Sequence, residues 1–274
     1  AGRGLSFSFY TTTKYFYMKT VYLYLLSAVI TGLFACNNAA DQQAGHEDSL
    51  NAVTAPVARF HIQPVDAAAL PATIKFKGSL YQAWQWKDAL GENLLITSQV
   101  TPANSTKAGE EEGFSASLHA FHYVKQTEGY KLRWQMHDSV AECPVDVACN
   151  YIDSVHITDL DGNGIAETSL LYKTACRGDV SPAYMKLIMH QDSIKYALRG
   201  NMWVKLNTED SFTVTPANVN LETLPKADSE YGRLLQLDGR YESEKDFTTA
   251  PPAFLLFARD LWLKKAIETF DQPE

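Results

Sequence analysis

None of the short patterns that mark a chemical step occurs in this sequence. G-x-S-x-G is absent, as are the Walker phosphate loop, H-E-x-x-H and the glycine-rich dinucleotide fingerprint. Those patterns place a nucleophile, cradle a phosphate or hold a zinc ion, so these chemistries are left without sequence support. Cysteine is scarce, four residues in 274, and no C-x-x-C spacing brings two thiolates to one site. The apolar run from Val21 to Ala35 has 15 residues, short of the roughly 20 that a membrane-spanning helix needs. Basic residues are outnumbered, 24 against 32 acidic. Nucleic-acid phosphates and anionic lipid both select basic surfaces, so neither partner is expected.

What is present begins at Met18. MKTVYLYLLSAVITGLFACNN sets one cation, Lys19, ahead of the apolar run, and small residues then lead to Cys36. That is the order of a secretory signal: charged n-region, short h-region, processing site. The ending Leu33-Phe34-Ala35-Cys36 resembles a bacterial lipobox, which implies a signal peptide over 18–35, cleavage before Cys36 and lipid attached to that cysteine. Residues 1–17 fit no part of a signal and read as upstream sequence ahead of a start at Met18. Residues 36–57 are polar, rich in Ala and Gln, and lack aromatics. They cannot bury enough apolar surface to offset chain entropy and are expected to form a flexible tether. More than one acyl chain anchors stably, at about 0.8 kcal/mol per buried CH₂. The expected location is the cell envelope, lipid-anchored to the outer membrane and facing either the periplasm or the exterior. Removing residues 1–35 takes away Arg3, Lys14 and Lys19 and no acid, leaving 21 of the 24 basic residues and a formal net charge of −11 instead of −8.

Beyond Cys36 stand Cys143, Cys149 and Cys176. An exported chain enters a disulfide-permissive compartment, so one bridge and one leftover thiol are expected. Cys143 and Cys149 bracket PVDVA, a loop that closes if it bends at Pro144. Cys149 with Cys176 would instead clamp the strands on either side of an acidic loop. Both readings use Cys149. A three-cysteine zinc site is the functional alternative, but it has no nearby His pair.

The remaining chain, 58–274, reads as a single, mainly β domain. Hairpins are predicted at 80–87 with 93–100, 117–125 with 130–137, 153–160 with 165–173, and 184–190 with 193–200. Each shows period-2 alternation around turn residues. No motif recurs between hairpins, so antiparallel hairpins forming a curved sheet or sandwich are expected in place of a propeller. SVAECPVDVACN, between the second and third hairpins, reads as an excursion over one face. Pro251-Pro252 opens an amphipathic C-terminal helix, 252–270, with Phe254, Phe257, Ala258, Leu261 and Trp262 at helical spacing.

DLDGNGIAE, residues 159–167, carries the clearest ligand pattern. With Asp159 as position 1, oxygen side chains fall at 1, 3 and 5 (Asp159, Asp161, Asn163), glycine at 6 allows a sharp turn, and Ile165 at 7 offers its carbonyl. Hard cations such as Ca²⁺ take such sets of oxygens. Position 12 is Leu170, so the bidentate acid of an EF-hand is missing. The loop resembles the D-x-D-x-N-G calcium loops that join strands in integrin-type β-repeats, which implies Glu167 as the closing carboxylate. The competing reading is a polar hairpin turn, since Asp-Gly and Asn-Gly are strong turn signals. Against it, three carboxylates this close repel one another unless a cation intervenes.

Other features weigh less. His119 and His122 lie three apart in a predicted strand and so point to opposite faces, as exposed or core histidines and not as a metal pair. Arg177-Gly178-Asp179 spells an integrin-recognition tripeptide, a weak motif when its loop context is unknown. Trp84, Trp86, Tyr123 and Trp134 can stack on sugars if exposed, though alternate strand positions usually belong to a core.

ITDLDGNGIAE, CRGDVSP, MKLIM and KYALRG, within about 150–206, resemble a group of Bacteroidota lipoproteins labelled surface polysaccharide biosynthesis proteins. The resemblance implies an envelope protein connected with surface glycans; it carries no enzymatic mechanism and transfers no catalytic residues. The reading that results is a lipid-anchored protein with a calcium-braced β domain, binding a glycan or an envelope protein without catalysis. The alternatives are an enzyme acting on surface polysaccharide, with Asp153 or Glu142 as acid/base, and a surface-presented inhibitor or adhesin.

Overall fold

The computed structural model describes residues 60–105 and 113–269; the signal, the tether and Cys36 lie outside them. The predicted alternation becomes two antiparallel sheets. In the first, β1 (Gln63–Pro64), β2 (Ser79–Asp88), β3 (Gly91–Asn104), β4 (Phe114–Gln126) and β5 (Gly129–Cys143) follow chain order as a meander. The second contains β6 (Asp146–Tyr151), β7 (His156–Thr158), β8 (Glu167–Arg177), β9 (Tyr184–Gln191) and β10 (Ile194–Asn201). Its order is β10-β9-β8, with β6 and β7 paired along successive stretches of β8.

Period-2 geometry sends alternate residues of each strand to opposite faces. Trp86, Leu95, Ala120 and Met136 of the first sheet meet Tyr151, Leu170, Ile188 and Ala197 of the second in one buried cluster, so the sheets pack as a sandwich. The far face of the second sheet offers Leu171, Leu187, Met189 and Leu198 to Phe254, Ala258, Leu261 and Trp262 of helix α2 (Pro252–Lys265). The far face of the first sheet, at Ala83, Leu94 and Ile96, is covered by Val65, Leu70, Ile74 and Phe76. Leu94 and Leu95, like Leu170 and Leu171, therefore serve different cores. Strands covered on both faces become nearly continuous apolar runs, and each fully buried Leu, Ile or Met contributes about 1.5–3 kcal/mol.

Several expectations need correction. SVAECPVDVACN is no excursion: its first part ends β5, the chain turns at Pro144–Val145, and DVACNY is strand β6 in the opposite sheet. This alters the disulfide. Cys143 pairs with Cys176, with Cα atoms 5.7 Å apart, and Cys149 is a free, buried thiol. Strand β6 carries Cys149 three residues past Asp146, about 10 Å at 3.3 Å per residue, while Val147 is the residue in register with Cys176. Cys149 thus faces the core between the sheets, where burial pushes its thiol up to about 11. The helix is also shorter than expected. It ends at Lys265, and β12 (Ile267–Thr269) pairs in parallel with β11 (Trp203–Lys205). A further helix, the preceding α1 (Glu230–Leu237), was not anticipated; Ser229 caps it by accepting a hydrogen bond from Gly232 N.

His119 and His122 are both buried, on opposite faces of β4 as expected. His119 lies parallel to Phe121 and tilted against His137, and His122 lies against Trp86 and Trp134 in the central core. Trp86 and Trp134 are buried, whereas Trp84 and Tyr123 are half-buried.

Gly200 is required by close approach. A Cβ there would lie 2.1 Å from Arg240 O and 2.7 Å from Tyr241 Cα, where β10 bridges to Tyr241. Both obstacles are backbone and cannot swing aside. Gly200→Ala should cost roughly 1–3 kcal/mol, as overpacking does, seen as an earlier midpoint in urea unfolding; an unchanged midpoint would show that the bridge is dispensable.

Candidate metal centre

The loop between β7 and β8 is built by short-range hydrogen bonds. Asn163 N and Asn163 Nδ2 donate to Asp161, Ile165 N donates to Asn163 Oδ1 at 2.7 Å, and Gly164 N donates to Asp159 Oδ1 at 3.3 Å. Gly162 and Gly164 hold φ of +71° and +80°, the left-handed region that glycine enters without a Cβ penalty. The loop therefore curls inward as the positions of its glycines suggested.

Curling brings three predicted ligands together. Asp159, Asp161 and Glu167 each place a carboxylate oxygen within 4.8 Å of the other two, and the group can hold a metal ion. Oxygens sharing a Ca²⁺ sit about 2.3–2.6 Å from it, so two of them can be up to about 5 Å apart. Asp159 and Glu167 are buried, while Asp161 is exposed. Asn163 lies beside Asp161 through its side-chain amide, and Ile165 follows in the same turn.

Two electrostatic features make this more than a turn. Asp159 is 3% exposed, and its Oδ2 has no hydrogen-bond partner. A buried polar atom left so costs about 1–3 kcal/mol, more when charged. Glu167 is fully buried, and burial pushes its carboxyl up to about 7 against hydrogen bonds from Leu160 N and Thr158. A cation among these oxygens would satisfy the first group and neutralise the second. The donors are all hard oxygens, with no thiolate or imidazole in the cluster.

Several supporting residues were not foreseen. Gln191 Nε2 donates to Glu167 Oε1 at 2.9 Å and to Asp161 Oδ2 at 3.1 Å. Glu167 and Gln191 stand opposite in the β8–β9 register, a pairing that no local spacing reveals. Asp88, at the end of β2, accepts from Trp86 Nε1, Leu90 N and Ala166 N. Ala89 N donates to Gly164 O at 2.8 Å. The loop is thereby docked on the β2–β3 turn of the other sheet, so ordering it also ties the two sheets together.

The remaining candidates lie elsewhere. Asp153 bonds His156 and Lys265; burial pushes its carboxyl up, but these bonds and one from Ser154 N hold it below the usual carboxylate range. A carboxylate kept ionised in this way is a poor proton donor. Glu142 is exposed beside the Cys143 bridge. Arg177 of the RGD tripeptide forms two hydrogen bonds with the buried Glu268, and Asp179 accepts from Ser181 N, so the tripeptide's charges are engaged within the fold. No protein-family model, curated protein or solved structure matches this chain.

Proposed function

We propose that this is a lipid-anchored protein of the cell envelope whose β-sandwich is braced by Ca²⁺ at residues 159–167, and that it acts by binding a glycan or an envelope protein. The observation that carries the calcium reading is the unpartnered, buried Asp159 Oδ2 beside the carboxylates of Asp161 and Glu167. All-oxygen ligands on one irregular loop suit Ca²⁺, which accepts varied geometries, better than Mg²⁺, which demands near-ideal octahedral geometry and keeps its waters. The ion's work is mechanical: it closes a loop that bridges both sheets. The resemblance of 157–167, 176–182, 185–189 and 195–200 to surface polysaccharide lipoproteins supports the connection with glycans. The lipobox ending at Cys36 supports the anchor.

Thermal unfolding with millimolar CaCl₂ and with chelator tests the brace. A ligand that binds only the folded state stabilises by about 2.7 kcal/mol at one hundred times its dissociation constant. The melting temperature should rise with Ca²⁺, and Asp159→Asn should abolish the rise. A melting temperature indifferent to Ca²⁺ would sink the reading. For the anchor, Cys36→Ser should abolish metabolic labelling with a fatty acid; persistent labelling would refute it.

A further inference from the structure

Along the edge of the sandwich opposite β6, the inner faces of the strands turn polar where the pattern calls for apolar residues. Strand alternation puts Asp138 of β5, Lys186 and His190 of β9, and Lys195 and Arg199 of β10 on the same sides as the core residues Met136, Ile188 and Ala197. There they line a cleft of about 360 Å³, with Tyr172, Met136 and Ile188 also in its wall. That volume lies within the roughly 300–1,000 Å³ range of small-molecule sites.

The balance of charge in the cleft is opposite to that of the chain. Three permanent cations line it, and Asp138 is the one carboxylate among its lining residues. Asp138 is already taken up by Lys186 and by the Tyr172 hydroxyl. Arg199 gives Nη1 to Asp246 at 3.0 Å, and a guanidinium keeps further donors in its fork. Lys195 has no acidic partner among the described residues. His190 is 4% exposed and stacks on Trp134 with ring centroids 4.0 Å apart. Neither His190 Nδ1 nor Trp134 Nε1 has a hydrogen-bond partner. Polar groups this deep are normally satisfied; of the two residues, His190 lines the cleft and Trp134 lies behind it.

We propose that this cleft binds a small acidic saccharide, a sugar ring carrying a carboxylate, sulfate or phosphate. The anionic group would sit on Lys195, beside His190 in the register, while Arg199, four residues and about 13 Å further along β10, would reach a second polar group of the ligand. Ring hydroxyls would meet the Lys186–Asp138 pair, which offers both donors and acceptors. This deepens the glycan-binding reading given above and rests on it, but the cleft is separate from the Asp159–Glu167 loop. Inward-pointing charges on an edge strand such as β10 also discourage sheet-to-sheet aggregation, and the experiment separates that role from binding.

The test is calorimetric titration of the full chain with glucuronate, glucose and sodium sulfate at low salt, repeated for Lys195→Gln and Lys195→Glu. Lys195 is exposed and unpaired, so neither variant should fail to fold. Glucuronate should bind more tightly than glucose by tenfold or more, weaken as salt is added, and lose at least fivefold in Lys195→Gln and more in Lys195→Glu. Equal binding of glucose and glucuronate, unaffected by Lys195→Glu, would overturn the anionic inference and leave glycan binding standing. Sulfate binding that depends on Lys195, without binding of either sugar, would uphold the cationic site and overturn the saccharide reading. No binding of any probe, with Lys195→Gln only increasing aggregation, would overturn both and assign the charges to edge protection. The Ca²⁺ response, measured alongside, should be the same in every variant.

Discussion

Glu268→Gln should destabilise the protein by on the order of 3 kcal/mol at neutral pH, and the penalty should fade in acid. Glu268 is 2% exposed and lies on β12, just beyond the C-terminal helix. Its carboxylate accepts from Lys173 at 2.7 Å, from Arg177 at 2.8 and 2.9 Å, and from Ala183 N at 3.1 Å. Burial alone would raise its carboxyl, but these bonds overcome it and hold the group at about 2. A carboxyl lowered on folding stabilises the native state above its unfolded value, near 4.5, and that contribution is lost as pH falls towards 2. Each unit of difference is worth about 1.4 kcal/mol. The amide keeps the shape but leaves Arg177 and Lys173 without a counter-charge, and removing one member of a buried pair typically costs about 3–5 kcal/mol. Urea unfolding of wild type and variant at pH 7 and pH 2.5 should show a wide gap that narrows on acidification. A gap independent of pH would mean that Glu268 acts by packing alone. A negligible gap at pH 7 would remove the ion pair from the stability of the fold.

That ion pair was invisible in the sequence, and the reason is general to this fold. Local pattern identified the hairpins well: 80–87 with 93–100 became Ser79–Asp88 with Gly91–Asn104, and 184–190 with 193–200 became Tyr184–Gln191 with Ile194–Asn201. Alternation and turn residues are short-range properties. Whether a hairpin joins one sheet or the other depends on contacts between distant segments. DVACNY was lost because Pro144 reads as a loop and six residues carry little periodicity. Helix α1 is hard to read for a different reason: it has only eight residues, and its apolar residues at helical spacing, Tyr231, Leu234 and Leu235, face solvent instead of a core. Residues 267–269 read as a continuation of the helix because their pairing with Trp203–Lys205 lies more than sixty positions away in the chain.

The candidate site divides in the same way. Asp159 and Asp161 could be read from spacing, and Glu167 from the loop's resemblance to D-x-D-x-N-G calcium loops, because one loop supplies all three and a loop's own geometry is local. Thr158, Gln191 and Asp88 hold that loop in place, yet two of them come from other hairpins. The lining of the cleft was equally hidden. Lys186, Lys195 and Arg199 look like ordinary solvent-facing positions until the sandwich shows that they share a face with Ile188 and Ala197. Their chemistry comes from the register between strands.

Breaking the Cys143–Cys176 bridge should remove on the order of 3–4 kcal/mol. The bond joins the end of β5 in the first sheet to β8 in the second, closing a loop between residues 33 apart in sequence. In the chain-entropy description, a crosslink over that separation lowers the entropy of the unfolded chain by an amount worth nearly 4 kcal/mol at 25 °C. The strands it joins are paired to neighbours within their own sheets, and the sheets are otherwise linked by packing, by the 159–167 loop and by side-chain bonds such as Lys186–Asp138, Arg133–Asp192 and Tyr151 to His119 O. Cys143→Ser with Cys176→Ser should therefore lower the urea midpoint strongly and steepen the transition, because the unfolded chain without the crosslink is more expanded and exposes more surface. Cys149→Ser should leave the bridge intact and cost only what a hydroxyl costs in an apolar site. The acidic loop lies at the opposite end of β8 from Cys176, so the bridge and the proposed ion tether the sheets at two separate points. Adding Ca²⁺ to the bridge-less variant should then recover part of the lost stability, by the same increment that it gives the wild type. A Ca²⁺ increment that vanishes with the disulfide would mean that the loop cannot form unless the sheets are already crosslinked.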